Sequence, residues 1–398
     1  MATRNRIIYQ SEALYVSPAT GESASDSTTA TQLYRVQDIS HDMDVNRTDI
    51  FEFGRLAPLT RQVIEAPTVS LDFSYLLADG VNEKRIGLMT DGLANAISGI
   101  LNDATRKEKN YYVTTVGEYT DAEKSSTDTT ASAANTTVVG FGNAAISNYV
   151  VNVAVGDLPT ASVTCEAYNL KFENPVSADA GGGWLSGIAP TVNKESSKEV
   201  LDTFVLPTGT TGSLEVFTLR PGDVTMVFGT GQKYASTAAN KLQVGGAILP
   251  TGDPDSASTT DGETPIHIQN FSIEVPLART PLNRVGSNFP YDRAVDFPLD
   301  MTLNISALLA DVDEGSLIDL MCEDQETRDV TINCKIPCTE GDENSDNNIR
   351  FEIKDVYLQS QNMSATIGDN KTVDLSFTSQ FGGVDDTVNG LFISGFNE

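Results

Sequence analysis

The side chains best suited to chemistry are scarce in this chain. It holds two histidines, His41 and His267, and four cysteines, Cys165, Cys322, Cys334 and Cys338. Most general acid–base schemes and Cys/His metal sites draw on these residue types. Cys334 and Cys338 are separated by three residues rather than the two of a redox or zinc CxxC motif, and Cys165 and Cys322 stand alone. All four read as reduced packing residues. Carboxylates abound, and the loops at 253–263 (DPDSASTTDGE), 311–315 (DVDEG) and 341–348 (GDENSDNN) invite a calcium hypothesis. None of them has the DxDxDG loop with a glutamate at its twelfth position. The glycine runs at 140–142, 181–183 and 229–231 lack the following residues of a phosphate cradle and read as turn glycines. Carboxylate pairs for glycoside hydrolysis could be drawn from anywhere in so acidic a chain, so no pair is singled out. The expectation is a protein without an active site, a bound metal or a cofactor.

The composition points the same way. Of 398 residues, 39% are hydrophobic, and 31 glycines bring the apolar share near the globular norm, which disfavours wholesale disorder. Lys and Arg number 26 against 55 Asp and Glu, a formal charge of −29. So acidic a chain has no general attraction for phosphate backbones or anionic membrane faces. The N-terminal stretch MATRNRIIYQSEALYVS has no apolar core for a secretory signal, and no window approaches a membrane span. The expectation is a soluble protein made in a cytoplasm, with no membrane partner.

The elements that position these residues are revealed by self-comparison. Residues 36–79 align with 268–311 at an offset of 232 without a gap, and 14 of 44 positions are identical, among them Arg47/Arg279, Gly54/Gly286, Pro58/Pro290, Arg61/Arg293 and Asp79/Asp311. Composition alone would give roughly 3. Residues 149–169 match 361–381 at an offset of 212, so the first copy carries about 20 extra residues, placed in the polar stretch 121–137. The boundaries read as a first domain over 1–172, a linker or insertion over 173–241 and a second domain over 242–398. Within the insertion, the strand-rich run at 214–231 either pairs with the second copy's sheet or forms a unit of its own.

Apolar residues in both copies alternate: Val69, Leu71, Phe73 and Tyr75 in the first, Met301, Leu303 and Ile305 in the second. Period two predicts half-buried strands. Val151 to Cys165 predicts a hairpin that turns over 156–159, repeated by Met363 to Phe377 with a turn over 368–371. One helix is expected per copy, on Leu93, Ile97, Ile100 and Leu101 in the first and over Leu317 to Cys322 in the second. The fold class is mainly β, two tandem β-sandwich or partly closed barrel domains, each with a packed helix, plus a β-rich insertion between them.

The block RVQDISHDMDVNRTDIFEFGRLAPLTRQVIEAPTVSLDFSYLLADG resembles the tail tube (major tail) proteins of long-tailed bacteriophages. The resemblance rests on Arg47 in a long hairpin arm, the Phe53-Gly54 turn, Arg61-Gln62-Val63, Pro67 and the strand Val69 to Tyr75. Asn110 to Val113 resembles the strand that follows the helix. The second copy keeps Arg279, Gly286, Arg293 and Pro298. The resemblance implies a structural virion protein, assembled in the host cytoplasm, whose rings stack into a tube through which DNA is ejected. Two domains in one chain imply a homotrimer ring with pseudo-sixfold symmetry. The implied partners are the chain itself, tail initiation and terminator proteins, a sheath where there is one, and DNA that passes without specific binding. An acidic lumen would keep that DNA mobile.

The arms, 44–66 and 276–298, hold the candidate self-assembly residues Arg47, Phe51, Phe53 and Arg61 in the first, with Arg279, Val285, Phe289, Tyr291 and Arg293 in the second. Their apolar surface suggests contact with a neighbour. The arginines suit ion pairs with Asp49, Glu65 or Asp296, either across subunits or within the domain. The rival reading is a β-sandwich adhesin or virion decoration protein that binds a host-surface ligand through its loops. A hydrolase is disfavoured because no nucleophile motif is present.

Overall fold

The computed structural model describes residues 12–18, 31–64, 66–88, 108–116, 122, 137–173, 218–228, 241–244, 247–250, 267–286, 290–308, 328–335, 348–365, 370–383 and 386–394. The first half contains β1 (Glu12–Pro18), β2 (Thr31–Gln32), β3 (Val36–Asp44), β4 (Arg47–Ile50), β5 (Thr60–Val63), β6 (Thr68–Leu76), the helix α1 (Val81–Ile86), β7 (Lys109–Thr115), β8 (Thr137–Ala154), β9 (Thr160–Ala167) and β10 (Asn169–Glu173). The second half contains β11 (Val224–Phe228), β12 (Lys241–Val244), β13 (Ala247–Pro250), β14 (His267–Pro276), β15 (Arg279–Leu282), β16 (Asp292–Val295), β17 (Asp300–Leu308), β18 (Arg328–Lys335), β19 (Asn348–Ser364), β20 (Thr372–Gln380) and β21 (Gly390–Ser394). The fold is mainly β, and the ladders among the described residues are antiparallel.

Each half is built around one long strand that serves two sheets. The N-terminal part of β8 pairs with β7 and β10, and its C-terminal part pairs with β9. In the second half, β19 pairs with β18 and β21 through residues 348–356, then with β20 through 357–364. The change of partner falls at one residue with a left-handed backbone in each strand, Asn143 (φ 51°) and Asp355 (φ 56°), 212 positions apart. Asn and Asp tolerate that region better than other residues that bear a side chain. Bulges recur as well. One lies at Ile146/Asn148 in β8 and again at Leu358/Ser360 in β19, and another at Val36/Asp38 in β3 and again at Ile268/Asn270 in β14. An extra residue bends a strand and increases its twist, so paired bulges give the halves the same curvature.

The two sheets of each half face a shared core. Burial in β6 and β9 alternates strictly, with Val69, Leu71, Phe73 and Tyr75 inside opposite Ala161, Val163 and Cys165. Across this core the Phe73 ring meets the Tyr111 ring of β7 at 5.7 Å between centroids. β17 and β20 repeat the alternation with Met301, Leu303 and Ile305 against Val373, Leu375 and Phe377. One continuous apolar cluster runs through both halves.

The halves are joined by a ladder between β8 and β14, Asn148 to Ala154 opposite Asn270 to Pro276. The result is one sheet in the order β3-β6-β9-β8-β14-β17-β20-β19. β11 pairs with β18 as β1 pairs with β7, so the run at 224–228 joins the second half's sheet. β12 and β13 form a separate hairpin.

The helix differs from expectation. A 3-10 turn spans Pro221–Asp223; the described α-helix is α1, a short segment held between left-handed Gly80 and Gly87, with Val81, Asn82, Glu83 and Ile86 buried. Its glycine ends, not apolar periodicity, mark its limits, because one and a half turns carry too few residues to show a period. The helices expected over 93–101 and 317–322 lie outside the described residues.

Candidate functional site

Two hairpin arms leave the joined sheet. The first is β4–β5, with Arg47 opposite Val63 and Asp49 opposite Arg61; the second is β15–β16, with Arg279 opposite Val295 and Pro281 opposite Arg293. The registers coincide at the offset of 232 seen in the sequence. The amide of Leu59 closes the first arm onto the carbonyl of Ile50 at 2.7 Å, and Tyr291 closes the second onto Leu282 at 3.0 Å. Gly54 (φ 88°) and Gly286 (φ 90°) turn the two tips, a conformation that disfavours any other residue.

Their surroundings differ completely. Arg279 and Arg293 are buried, whereas Arg47 and Arg61 are exposed. The second arm rests on the first half: the Arg293 guanidinium donates to the main-chain carbonyl of Glu166 and lies 3.7 Å above the Tyr168 ring. Burial pushes the Arg279 guanidinium down from its ordinary value, opposed by the Glu108 carboxylate nearby. None of its nitrogens has a hydrogen-bond partner among the described residues. In the first arm, Arg61 turns back on its own hairpin and pairs with Asp49 at 2.8 Å. Pro281 stands where Asp49 would be, which leaves Arg293 free to reach across to Glu166.

Most of the first arm's apolar residues have no cover among the described residues. Phe51, Leu59 and Ile64 are exposed, and Phe53 and Leu56 are fully so. Val285 and Tyr291, near the tip of the second arm, are also exposed although that arm's base is seated. Phe289 lies outside the described residues, as does Glu65. Asp296, proposed as an arginine partner, instead accepts a hydrogen bond from Thr280 at 2.6 Å.

The open edges of the joined sheet complete the surface. β3 pairs only with β6, and residues 357–364 of β19 pair only with β20 among the described residues. The solvent side of the sheet, opposite the core, carries Asp38, Asp42, Asp44, Asp72, Glu166, Glu274, Asp300 and Asp374 among serines, threonines and asparagines. Among the described residues no Lys or Arg stands at the outward positions of β3, β6, β9, β14, β17 and β20, of residues 148–154 of β8 or of residues 357–364 of β19; Arg350 and Lys354 belong to the part of β19 that pairs with β18 and β21. Cross-strand hydrogen bonds lace that side, from Ser306 to Asp374 at 2.7 Å and from Ser376 to Asn304 at 2.8 Å.

The chemistry-bearing residues are dispersed. His41 is exposed on β3, edge-on to Phe141 at 5.4 Å, and His267 is exposed on β14. The Cys165 and Cys334 thiols are buried and free, both pushed up to about 12 by burial. Neither is a nucleophile in that state. Cys322, Cys338, the glycine runs at 181–183 and 229–231 and nearly all of the three acidic loops lie outside the described residues. Among the described residues no cluster of His, Cys, Asp and Glu is arranged to hold a metal, and no helix is long and apolar enough to cross a membrane.

One buried polar group was not foreseen from the sequence. Glu83 of α1 is fully enclosed and accepts hydrogen bonds from the Tyr75 hydroxyl at 3.0 Å and the Tyr149 hydroxyl at 3.4 Å. Beside it, Arg35 pairs with Asp79 at 2.7 Å, and Asn82 brackets Tyr34 by bonding both its amide and its carbonyl. This network ties α1 to β6 and β8. The identity of Asp79 with Asp311 was the available signal, but nothing in the sequence placed Glu83 in the core. Comparison of the sequence with protein-family models and with curated proteins returns no match.

Proposed function

We propose that the chain is a structural subunit of a phage tail tube, assembling head to tail into closed rings that stack around a DNA conduit. The observation that carries this reading is the joined sheet. Its two halves meet edge to edge through β8 and β14, and the sheet then ends on β3 and β19, the counterparts of those same edges. A unit whose free edges repeat its internal junction can add further copies, and closure into a ring removes every open edge. Three chains give six tube domains and a homotrimer with pseudo-sixfold symmetry.

The acidic, cation-free side of the sheet suits a duct. Each phosphate neutralised by Lys or Arg adds affinity, so a lining without them lets DNA pass without being held. The partners are then other copies, tail initiation and terminator proteins, and a sheath in contractile tails. The place of action is the virion tail, and no catalysis is required.

Negative-stain electron microscopy of the purified protein, with and without a tail-initiation complex as nucleus, tests the reading. Hollow stacked rings with three chains per ring support it. Discrete particles that never stack, even on the nucleus, overturn it and favour the adhesin or decoration reading.

A further inference from the structure

Residue-by-residue comparison of the two halves shows which surfaces are missing a neighbour. Val275 of β14 is 1% exposed because β8 lies beside it, whereas its counterpart Met43 of β3 is 50% exposed. Leu277 is fully buried and donates its amide to the Ser147 carbonyl at 2.8 Å, whereas its counterpart Val45 is only half-buried. Arg293 is buried in its seat against Glu166 and Tyr168, whereas Arg61 is exposed. Each difference has the same sign and marks the same absent partner.

From this we infer that residues 39–44 of one chain form an antiparallel ladder with residues 360–365 of a second copy, in the register that β14 makes with β8. This rests on the tube reading and adds to it the residues that meet. Carrying the internal ladder across by the two offsets pairs Ser40 with Ser364, His41 with Met363, Asp42 with Asn362, Met43 with Gln361 and Asp44 with Ser360. The arm β4–β5 is then brought over the second half of that copy. There Arg61 exchanges Asp49 for the main-chain carbonyl of Thr378, the counterpart of Glu166.

Charge disfavours one rival, the pairing of two β3 edges. β3 presents Asp38, Asp42 and Asp44, so two β3 edges set carboxylate against carboxylate, which is destabilising. The β19 edge from Gln359 to Ala365 carries no charge and no proline and leaves its backbone groups open. An acidic edge facing a neutral one gives a head-to-tail contact, and acidic edges are discouraged from self-pairing.

Cysteine cross-linking tests the register. Ser40→Cys and Ser364→Cys would stand directly opposite across the new ladder, as Ser272 stands opposite Asn152 inside the chain. Under mild oxidant the double variant is expected to move the chain into covalent oligomers at least about tenfold more than either single variant, since a disulfide forms only at short Cβ separation. The Asn152→Cys/Ser272→Cys variant should close within one chain under the same conditions. Cross-linking by Ser40→Cys alone or Ser364→Cys alone would reveal like-with-like pairing and overturn the inference. Rings visible by electron microscopy without the cross-link would overturn the register and leave the tube reading standing. Absence of both rings and cross-links, with the in-chain control closed, would overturn both.

Discussion

The backbone amide of Asn143 donates to Oδ1 of Asn110 at 2.9 Å, at the point where β8 leaves one sheet for the other. In the second half Asp355 donates in the same way to Oδ1 of Asp329 at 3.2 Å. A left-handed residue breaks the ladder, and its freed amide needs an acceptor that the neighbouring strand must supply from a side chain. Asn and Asp serve equally as that acceptor. The kink at which each long strand changes partners is therefore a repeated device, although neither of its positions is an identity between the copies.

The two kinks differ in burial, and this sets a first prediction. Asn110 and Asn143 are buried, whereas Asp329 is exposed and Asp355 is half-buried. Asn110→Ala leaves a buried amide without a partner and should cost about 1 to 3 kcal/mol. Asp329→Ala lets water take over and should stay within about 0.5 kcal/mol of the parent. Chemical denaturation of the two variants measures the contrast, and equal losses would refute it.

A second prediction concerns the buried acid. Enclosure raises the Glu83 carboxyl above its ordinary range, so the folded state binds a proton there more tightly than the unfolded chain does. Its contribution to stability is complete below the unfolded value and is lost as pH rises through the folded one. Thermal unfolding followed from pH 4 upward should show that decline in the parent chain. Glu83→Gln keeps an oxygen for Tyr75 and Tyr149 and should remove this part of the pH dependence.

A third prediction separates the arm tips from the arm bases. The base of the second arm is seated within the chain, yet its tip residue Val285 is fully exposed, as are Phe53 and Leu56 on the first. Side-by-side contact therefore leaves the tips uncovered, and under the tube reading they remain for the next ring. Phe53→Ser/Leu56→Ser should unfold within about 0.5 kcal/mol of the parent, because both side chains are fully exposed. Electron microscopy should find rings that no longer grow into tubes.

Much of the sheet was legible in the sequence because alternation is a local signal. Val69 to Tyr75 and Met301 to Ile305 point inward as their period demands, and the offset of 232 carried the arm register from one copy to the other. The path of β8 and β19 was not legible, since a residue such as Asn143 changes partner strands without breaking the apolar pattern. The seat of Arg293 was also hidden. Sequence could pair it with a carboxylate, but its partners are a carbonyl and an aromatic face on the other half, fixed only once β8 meets β14. The edges needed the whole topology, because a strand is an edge only by virtue of what fails to lie beside it.

The two equivalent arginines give the last prediction. Arg293 is buried, stacks on Tyr168 and bonds the Glu166 carbonyl, so Arg293→Ala should destabilise the isolated chain by about 2 to 4 kcal/mol through loss of a desolvated cation–π contact and a charged hydrogen bond. Arg61 has only an exposed pairing with Asp49, and Arg61→Ala should change the same unfolding curve by no more than about 0.5 kcal/mol. In assembly the order should reverse. Under the proposed ladder Arg61 gains its seat only when a second copy is present, so sedimentation should show Arg61→Ala weakening self-association while its monomer remains as stable as the parent. If Arg61→Ala assembles as the parent does, the second copy does not offer that arm the seat that the first half offers Arg293.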